Sequence, residues 1–179
     1  TEKDVVPLLT KLRYEGDTPD FEQRNHVMEA QWLPSNLKKG FLKDITREIG
    51  GEQTVKVKKR LDDTAWKSKT GAALGLAPQS QKHGEFAWDI VPADVALEKV
   101  AKAPTGTVVV VVRADRPNAV TRISHLGFLI HKKNGPHLRH ASRSFGKVVD
   151  EPLANYLGRN LGFAKWTVEG LSLYTVKQP

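Results

Sequence analysis

Two histidines, His125 and His140, lie in the segments Ser124-His-Leu-Gly-Phe-Leu-Ile130 and Leu138-Arg-His-Ala-Ser142. Imidazole changes charge near neutral pH, and a histidine oriented by a second polar group is a common base for a thiol or hydroxyl nucleophile. Both segments read as strands flanking Lys132-Lys-Asn-Gly-Pro136, whose Asn-Gly step is a strong hairpin signal. Side chains alternate along a strand, so His125, Gly127, Leu129 and His131 share one face, and antiparallel pairing keeps His140 on it. A two-residue turn at Asn134-Gly135 sets His140 opposite Leu129. The histidines are then four residues out of register, roughly 13 Å at about 3.4 Å per residue. A longer or bulged loop centred nearer Lys132-Lys133 sets them opposite each other. Spacing permits the pair without establishing it.

Other readings compete. A strand histidine is ordinarily a partly buried, satisfied residue. Histidines 125, 131, 137 and 140 together could offer imidazoles to zinc or nickel, but no carboxylate lies between residues 116 and 149 to complete the shell. No metal or other cofactor is expected. Gly127, Ala141 and Ser142 leave room for close approach by a neighbouring element or ligand. The chain contains no cysteine, so it has no disulfide, no zinc–thiolate site and no thiol nucleophile of its own.

The elements that must position the histidines are partly legible. Val5, Val6, Leu8, Leu9 and Leu12 recur at helical spacing, predicting an amphipathic helix over 3–14 despite Pro7 near its start. Glu15-Gly-Asp-Thr-Pro-Asp20 is turn chemistry, and residues 21–36 carry no clear period. A second helix is predicted over 37–49, closed by Gly50-Gly51. An exposed strand follows over 52–61, then a polar, glycine-rich loop over 67–85. A short helix over 93–101 precedes Thr105-Gly-Thr-Val-Val-Val-Val-Val112, a buried strand bounded by Gly106 and Arg116-Pro-Asn118. Beyond the hairpin come a short helix over 152–157 and a last strand over 171–176. Helices first and antiparallel strands later make an α+β single domain over 1–179, with helices on one side of a curved sheet.

The chain has 179 residues, enough for one domain with a sizeable core. The apolar run 108–112 is far too short to span a bilayer, and no charged-then-apolar leader opens the sequence. Twenty-eight basic against twenty acidic residues leave a net charge of +8, which favours anionic partners. The lysines are scattered rather than clustered with aromatics, which argues against a nucleic-acid-binding domain.

With further segments, the histidine runs form an ordered set. These are Arg13-Tyr14, Arg24-Asn-His26 leading to Trp32, Lys39-Gly-Phe-Leu-Lys-Asp-Ile-Thr46, Gly50-Gly51, and Lys147-Val-Val-Asp150 with Leu153 and Tyr156-Leu157. The set resembles the NlpC/P60-type papain-like hydrolases and, more narrowly, their DUF1460 branch, the N-acetylmuramoyl-L-alanine amidase-like proteins. The match runs over most of the chain and is weakest over 55–90. The resemblance implies a papain-like α+β fold and a Cys-His-His hydrolase cleaving an amide of peptidoglycan or its muropeptide fragments in the periplasm or cell envelope. By resemblance His125 is the general base and His140 the residue that orients it. Arg24, His26, Trp32 and Arg139 are candidates for holding substrate, with Ser142 a weaker one. The family's nucleophilic cysteine precedes the segment that residues 1–14 resemble. The expectation is therefore that this chain is the C-terminal major part of such an enzyme and is inactive alone. The alternative is a cysteine-free module that binds peptidoglycan without cutting it. Thr1 as an N-terminal nucleophile is conceivable chemistry, and the less favoured one.

Overall fold

A computed structural model describes residues 2–162 and 165–177, with only the backbone for residues 2–4; Thr1 lies outside the described residues. The central element is the valine run. Val108–Arg113 forms a strand buried along its whole length. Val109 and Val111 enter one core, while Val108, Val110 and Val112 enter a second on the opposite face. Continuous β-branched residues do this because alternate side chains of a central strand face opposite layers, and both layers here are dry.

In chain order the elements are α1 (Glu2–Arg13), a π-helical turn (Met28–Trp32), α2 (Leu33–Lys38), β1 (Leu42–Asp44), α3 (Thr46–Gly50), β2 (Val55–Leu61), α4 (Asp63–Lys67), α5 (Lys69–Ala72), β3 (Gly84–Pro92), α6 (Ala96–Val100), β4 (Val108–Arg113), β5 (Ile123–Lys132), β6 (Gly135–Ser142), β7 (Lys147–Pro152), α7 (Leu153–Leu161) and β8 (Val168–Val176). The eight strands form one sheet in the order β2-β3-β8-β4-β5-β6-β7, with β1 also pairing β8, and each recorded pairing is antiparallel.

The α+β class stands, but two parts of the expected arrangement do not. Helices cover both faces. Residues of α3, α6 and α7 (Ile49, Val100, Leu157) pack with Val109 and Leu171, while Leu33 of α2, with Met28 and Trp32, packs on Val110 and Tyr174. Helices are also interleaved with the strands, since α6 and α7 each connect one strand to the next. The helix expected over 37–49 is broken. Gly40 adopts φ 77°, a left-handed turn that ends α2. Leu42–Asp44 then pairs with Tyr174–Val176 as β1 before α3 begins. Gly51 at φ 58° closes α3, as the Gly-Gly step predicts. The stretch 67–85 is not simply a loop. It carries α5 and a 3-10 turn at Pro78–Ser80, and Leu76 packs in a third cluster with Trp66, Leu61 and Val27. No signal had marked β3, which begins where that stretch ends.

Candidate active site

The hairpin turn is Lys133-Asn134, one position earlier than the Asn-Gly step predicts. Lys132 pairs with Gly135, which takes φ 106°, and Phe128 pairs with Arg139. Extended by one pair, this register sets His140 opposite Gly127, leaving it two residues from His125 instead of four. That offset is about 7 Å along the strand, within diagonal reach of two imidazoles on one face. The β4–β5 pairing supplies the rest. Val111 pairs with His125 but Val112 with Ile123, so Ser124 is an extra residue and the strand bulges beside His125.

The rings meet. His125 Nε2 lies 2.9 Å from His140 Nδ1, with centroids 4.9 Å apart and planes at 89°. His140 Nε2 is in turn 3.1 Å from Glu151 Oε2, which also accepts from Arg159 Nη2 at 2.6 Å. His140 is 5% exposed, Tyr156 of α7 is buried, and His125 is half-buried. The Tyr156 ring stacks on His125 at 5.9 Å and meets His140 edge-on at 5.4 Å. Tyr156 is placed there by the i, i+3, i+4 stripe Leu153, Tyr156, Leu157 that buries α7.

This chain of contacts fixes proton positions. A carboxylate accepts only, so His140 Nε2 carries hydrogen and donates to Glu151. A His140 ring carrying that one proton offers Nδ1 as acceptor, and His125 then donates from Nε2. His125 Nδ1 is left with a lone pair and has no hydrogen-bond partner among the described residues. Burial holds the His125 pKa below 6.5, with the charges of Arg113 and Arg159 acting in the same direction. The ring is neutral at physiological pH and able to take a proton at Nδ1.

Around the pair lie two concavities. One, of about 540 Å3, lies on the sheet face opposite the two rings, lined by the side chains of Met28, Leu126, Phe128, Ala141 and Val148 and bordered by both histidines. The other is polar and cationic, with Arg113, Arg143 and Arg159 beside Ser142 and Asn160. Arg113 ties this wall together, donating from Nε to Ser124 Oγ at 2.8 Å and from Nη2 to Asn160 Oδ1 at 2.6 Å, and bonding Trp166 O.

The substrate candidates are dispersed. Arg139 borders the first concavity and is paired with Asp150 at 2.6 Å. Arg24 is exposed away from both concavities, His26 Nε2 is engaged with Phe21 O at 2.7 Å, and Trp32 packs against the second core. Met28 of that segment, not those three, lines the first concavity. The four histidines are not gathered either. His131 Nε2 meets Ala103 O at 2.7 Å and His137 Nδ1 meets Gly135 O at 2.9 Å. Among the described residues no group of three or more histidines and carboxylates could hold a metal ion.

Sequence reasoning missed Glu151, Tyr156 as a ring partner, and Arg113. A β6–β7 register was the signal available for Glu151. His140 pairs with Val149, so Glu151 lies on the same face, two residues along, by the diagonal relation that joins the histidines. Gly127 does serve a close approach. A Cβ there would lie 2.6 Å from Arg139 O and 2.8 Å from Leu138 Cδ1.

Comparison with known proteins gives this arrangement a family. The chain is similar in fold to a DUF1460-family protein of Legionella pneumophila, with a TM-score of 0.78 and 23% identity over 95% of this chain and 68% of that one. It is likewise similar to an N-acetylmuramoyl-L-alanine amidase of Bacteroides uniformis, with a TM-score of 0.75 and 20% identity over 99% of this chain and 75% of that one. None of the curated proteins matches it. The family model for AmiA-like proteins matches residues 1–163, and the chain belongs to that family, the N-acetylmuramoyl-L-alanine amidase-like proteins.

Proposed function

We propose that the protein is a cysteine-type amidase of the bacterial cell envelope, acting on peptidoglycan or muropeptides on an NlpC/P60, papain-like fold. The 179 residues supply its base and orienting groups, and a cysteine outside them supplies the thiol. One observation carries the reading. The contacts from Glu151 through His140 leave His125 Nδ1 as an unprotonated acceptor on the α7 side of the sheet, where the cationic concavity lies. That is the state a general base for a thiol requires.

The chemistry follows from the ring nitrogens. His125 Nδ1 takes the thiol proton, and the thiolate attacks the amide carbonyl. The resulting imidazolium is stabilised through His140 by Glu151. The amide C–N bond breaks, the amine leaves with the proton from Nδ1, and a thioester forms. Water then attacks the thioester with His125 again as base, releasing the carboxylic acid and restoring the thiol. In this reading Arg143 on the cationic side, and Arg139 on the apolar side with its guanidinium shared with Asp150, are the candidates to meet carboxylates of a stem peptide.

The test is performed on the native protein from its source. Its intact mass and N-terminal sequence are determined, and muropeptide cleavage is followed by mass spectrometry before and after thiol alkylation. The reading expects a longer chain with an upstream cysteine, cleavage lost on alkylation, and cleavage lost again in His125→Ala. A native chain without cysteine that still retains muropeptides would make it a binding module. Cleavage indifferent to alkylation would overturn the cysteine mechanism.

A further inference from the structure

The π-helical turn that brings Met28 to the apolar concavity turns Ala30 and Gln31 toward a different cavity, of about 440 Å3, bordered also by α2 and by Lys82. Gln31 is only 7% exposed. Its Oε1 accepts from the backbone N–H groups of His26 and Val27, each at 3.0 Å. Two donors on one oxygen fix the amide orientation, so Nε2 points away from that backbone, and it has no acceptor among the described residues. Asn25, which lines the same cavity, has a buried Nδ2 that is likewise without a partner.

The charges around these two amides are mostly of one sign. Lys38 makes no ion pair among the described residues and lines the cavity with Lys39 and Lys82. Lys39 Nζ is held by Lys11 O at 2.9 Å and Tyr14 O at 2.7 Å, and no carboxylate neutralises it. Lys82 alone is paired, with Glu15 at 3.4 Å. The cavity therefore offers donors and positive charge, and its carboxylate acceptor is already engaged. A sugar hydroxyl can both donate and accept, whereas an anion only accepts, and a lining rich in donors and positive charge favours the anion.

We propose that this cavity is a second binding site, separate from the histidine pair, for a compact anionic group: a carboxylate or a phosphate. Gln31 Nε2 donates to it, with the Asn25 amide buried beside it, and Lys38 and Lys82 supply charge. The volume admits an amino-acid residue or a monosaccharide bearing the anion. The site does not depend on thiol chemistry, so it and the amidase reading stand or fall separately.

The experiment is a nitrogen-15 NMR titration of the full chain, reading the side-chain amides of Gln31 and Asn25. The probes are N-acetylalanine, its neutral match N-acetylalaninamide, and inorganic phosphate. The expected result is saturable shifts of both amides with at least one anion and none with the neutral amide; which anion binds tells a carboxylate from a phosphate source. Gln31→Glu keeps the acceptor for His26 and Val27 but reverses the polarity facing the cavity, and should abolish binding. Lys38→Met should weaken it and Glu15→Gln strengthen it, each roughly two- to fivefold. Those surface changes keep the test readable if Gln31→Glu does not fold. Equal shifts with the neutral amide, no saturable shift with either anion, or unchanged affinity in the Lys38 and Glu15 variants would overturn the proposal.

Discussion

The behaviour of His125 is decided two residues away from it. Its Nδ1 is free to accept a proton only because Nε2 carries hydrogen, and Nε2 carries hydrogen because His140 Nδ1 must accept. His140 Nδ1 must accept because Glu151 claims the other proton. In Glu151→Ala that claim disappears. His140 can then hold hydrogen on Nδ1, donate to His125 Nε2, and move the His125 proton to Nδ1, where it blocks the base. Long-range proton–nitrogen NMR on the chain should show both rings with hydrogen on Nε2 in the wild type and a mixture in Glu151→Ala. Glu151→Gln, whose amide oxygen can still accept from His140 and Arg159, should retain the wild-type pattern. Wild-type rings already mixed, or an alanine variant with no change, would remove Glu151 from the positioning role. The same spectra give a second expectation. The His125 midpoint should lie below 6.5, since burial and neighbouring positive charge both disfavour its imidazolium.

The histidine contact belongs to the hairpin more than to either residue. A turn one position later would separate the rings by four residues of register, and a β5 without its extra residue at Ser124 would aim His125 differently. Gly127 guards this geometry, because any side chain there strikes the β6 backbone at Arg139 O. Gly127→Ala should cost about 1–3 kcal/mol, the usual range for overpacking a closed site. It should lower the thermal midpoint and disperse the His125 and His140 resonances together. A variant as stable as the parent with an undisturbed pair would mean that β6 gives way at no cost. The same hairpin marks how far the sequence could be read. Strand alternation put His125 and His140 on one face, the valine run gave β4, and the helix expected over 152–157 is the first part of α7. Register was out of reach, because a two-residue turn can slide by one position at little local cost and the bulge depends on β4. Glu151 was invisible for the same reason, its partner being set by the pairing of β7. The predicted helix over 37–49 failed for a different reason. Its apolar residues fit a helical period, yet Gly40 and the open edge of β8 take Leu42–Asp44 into the sheet.

Across the whole molecule, two titrating groups shifted by burial should shape stability in opposite directions. His125 faces the α7 side of the sheet, and its folded pKa is depressed from 6.5. The unfolded chain then binds more protons than the native one just below 6.5, so stability is complete above 6.5 and lost as pH falls through the depressed value. Glu29 lies on the other side, in the π-helical turn. It accepts from Arg122 N at 2.6 Å and Thr121 Oγ1 at 2.8 Å, but burial outweighs these bonds and raises its pKa above 4.5. Here the native state holds the extra proton, so stability is complete below 4.5 and declines as pH rises through the raised value. Denaturant unfolding as a function of pH separates the two. His125→Gln should remove a rising component just under pH 6.5. Glu29→Gln, which keeps an acceptor for Arg122 and Thr121 but cannot ionise, should remove a falling component above pH 4.5. The difference between each variant and the parent should therefore change with pH in opposite senses. If Glu29→Gln leaves the slope unchanged, the hydrogen bonds to Glu29 fully offset its burial, and ionising it costs the fold nothing.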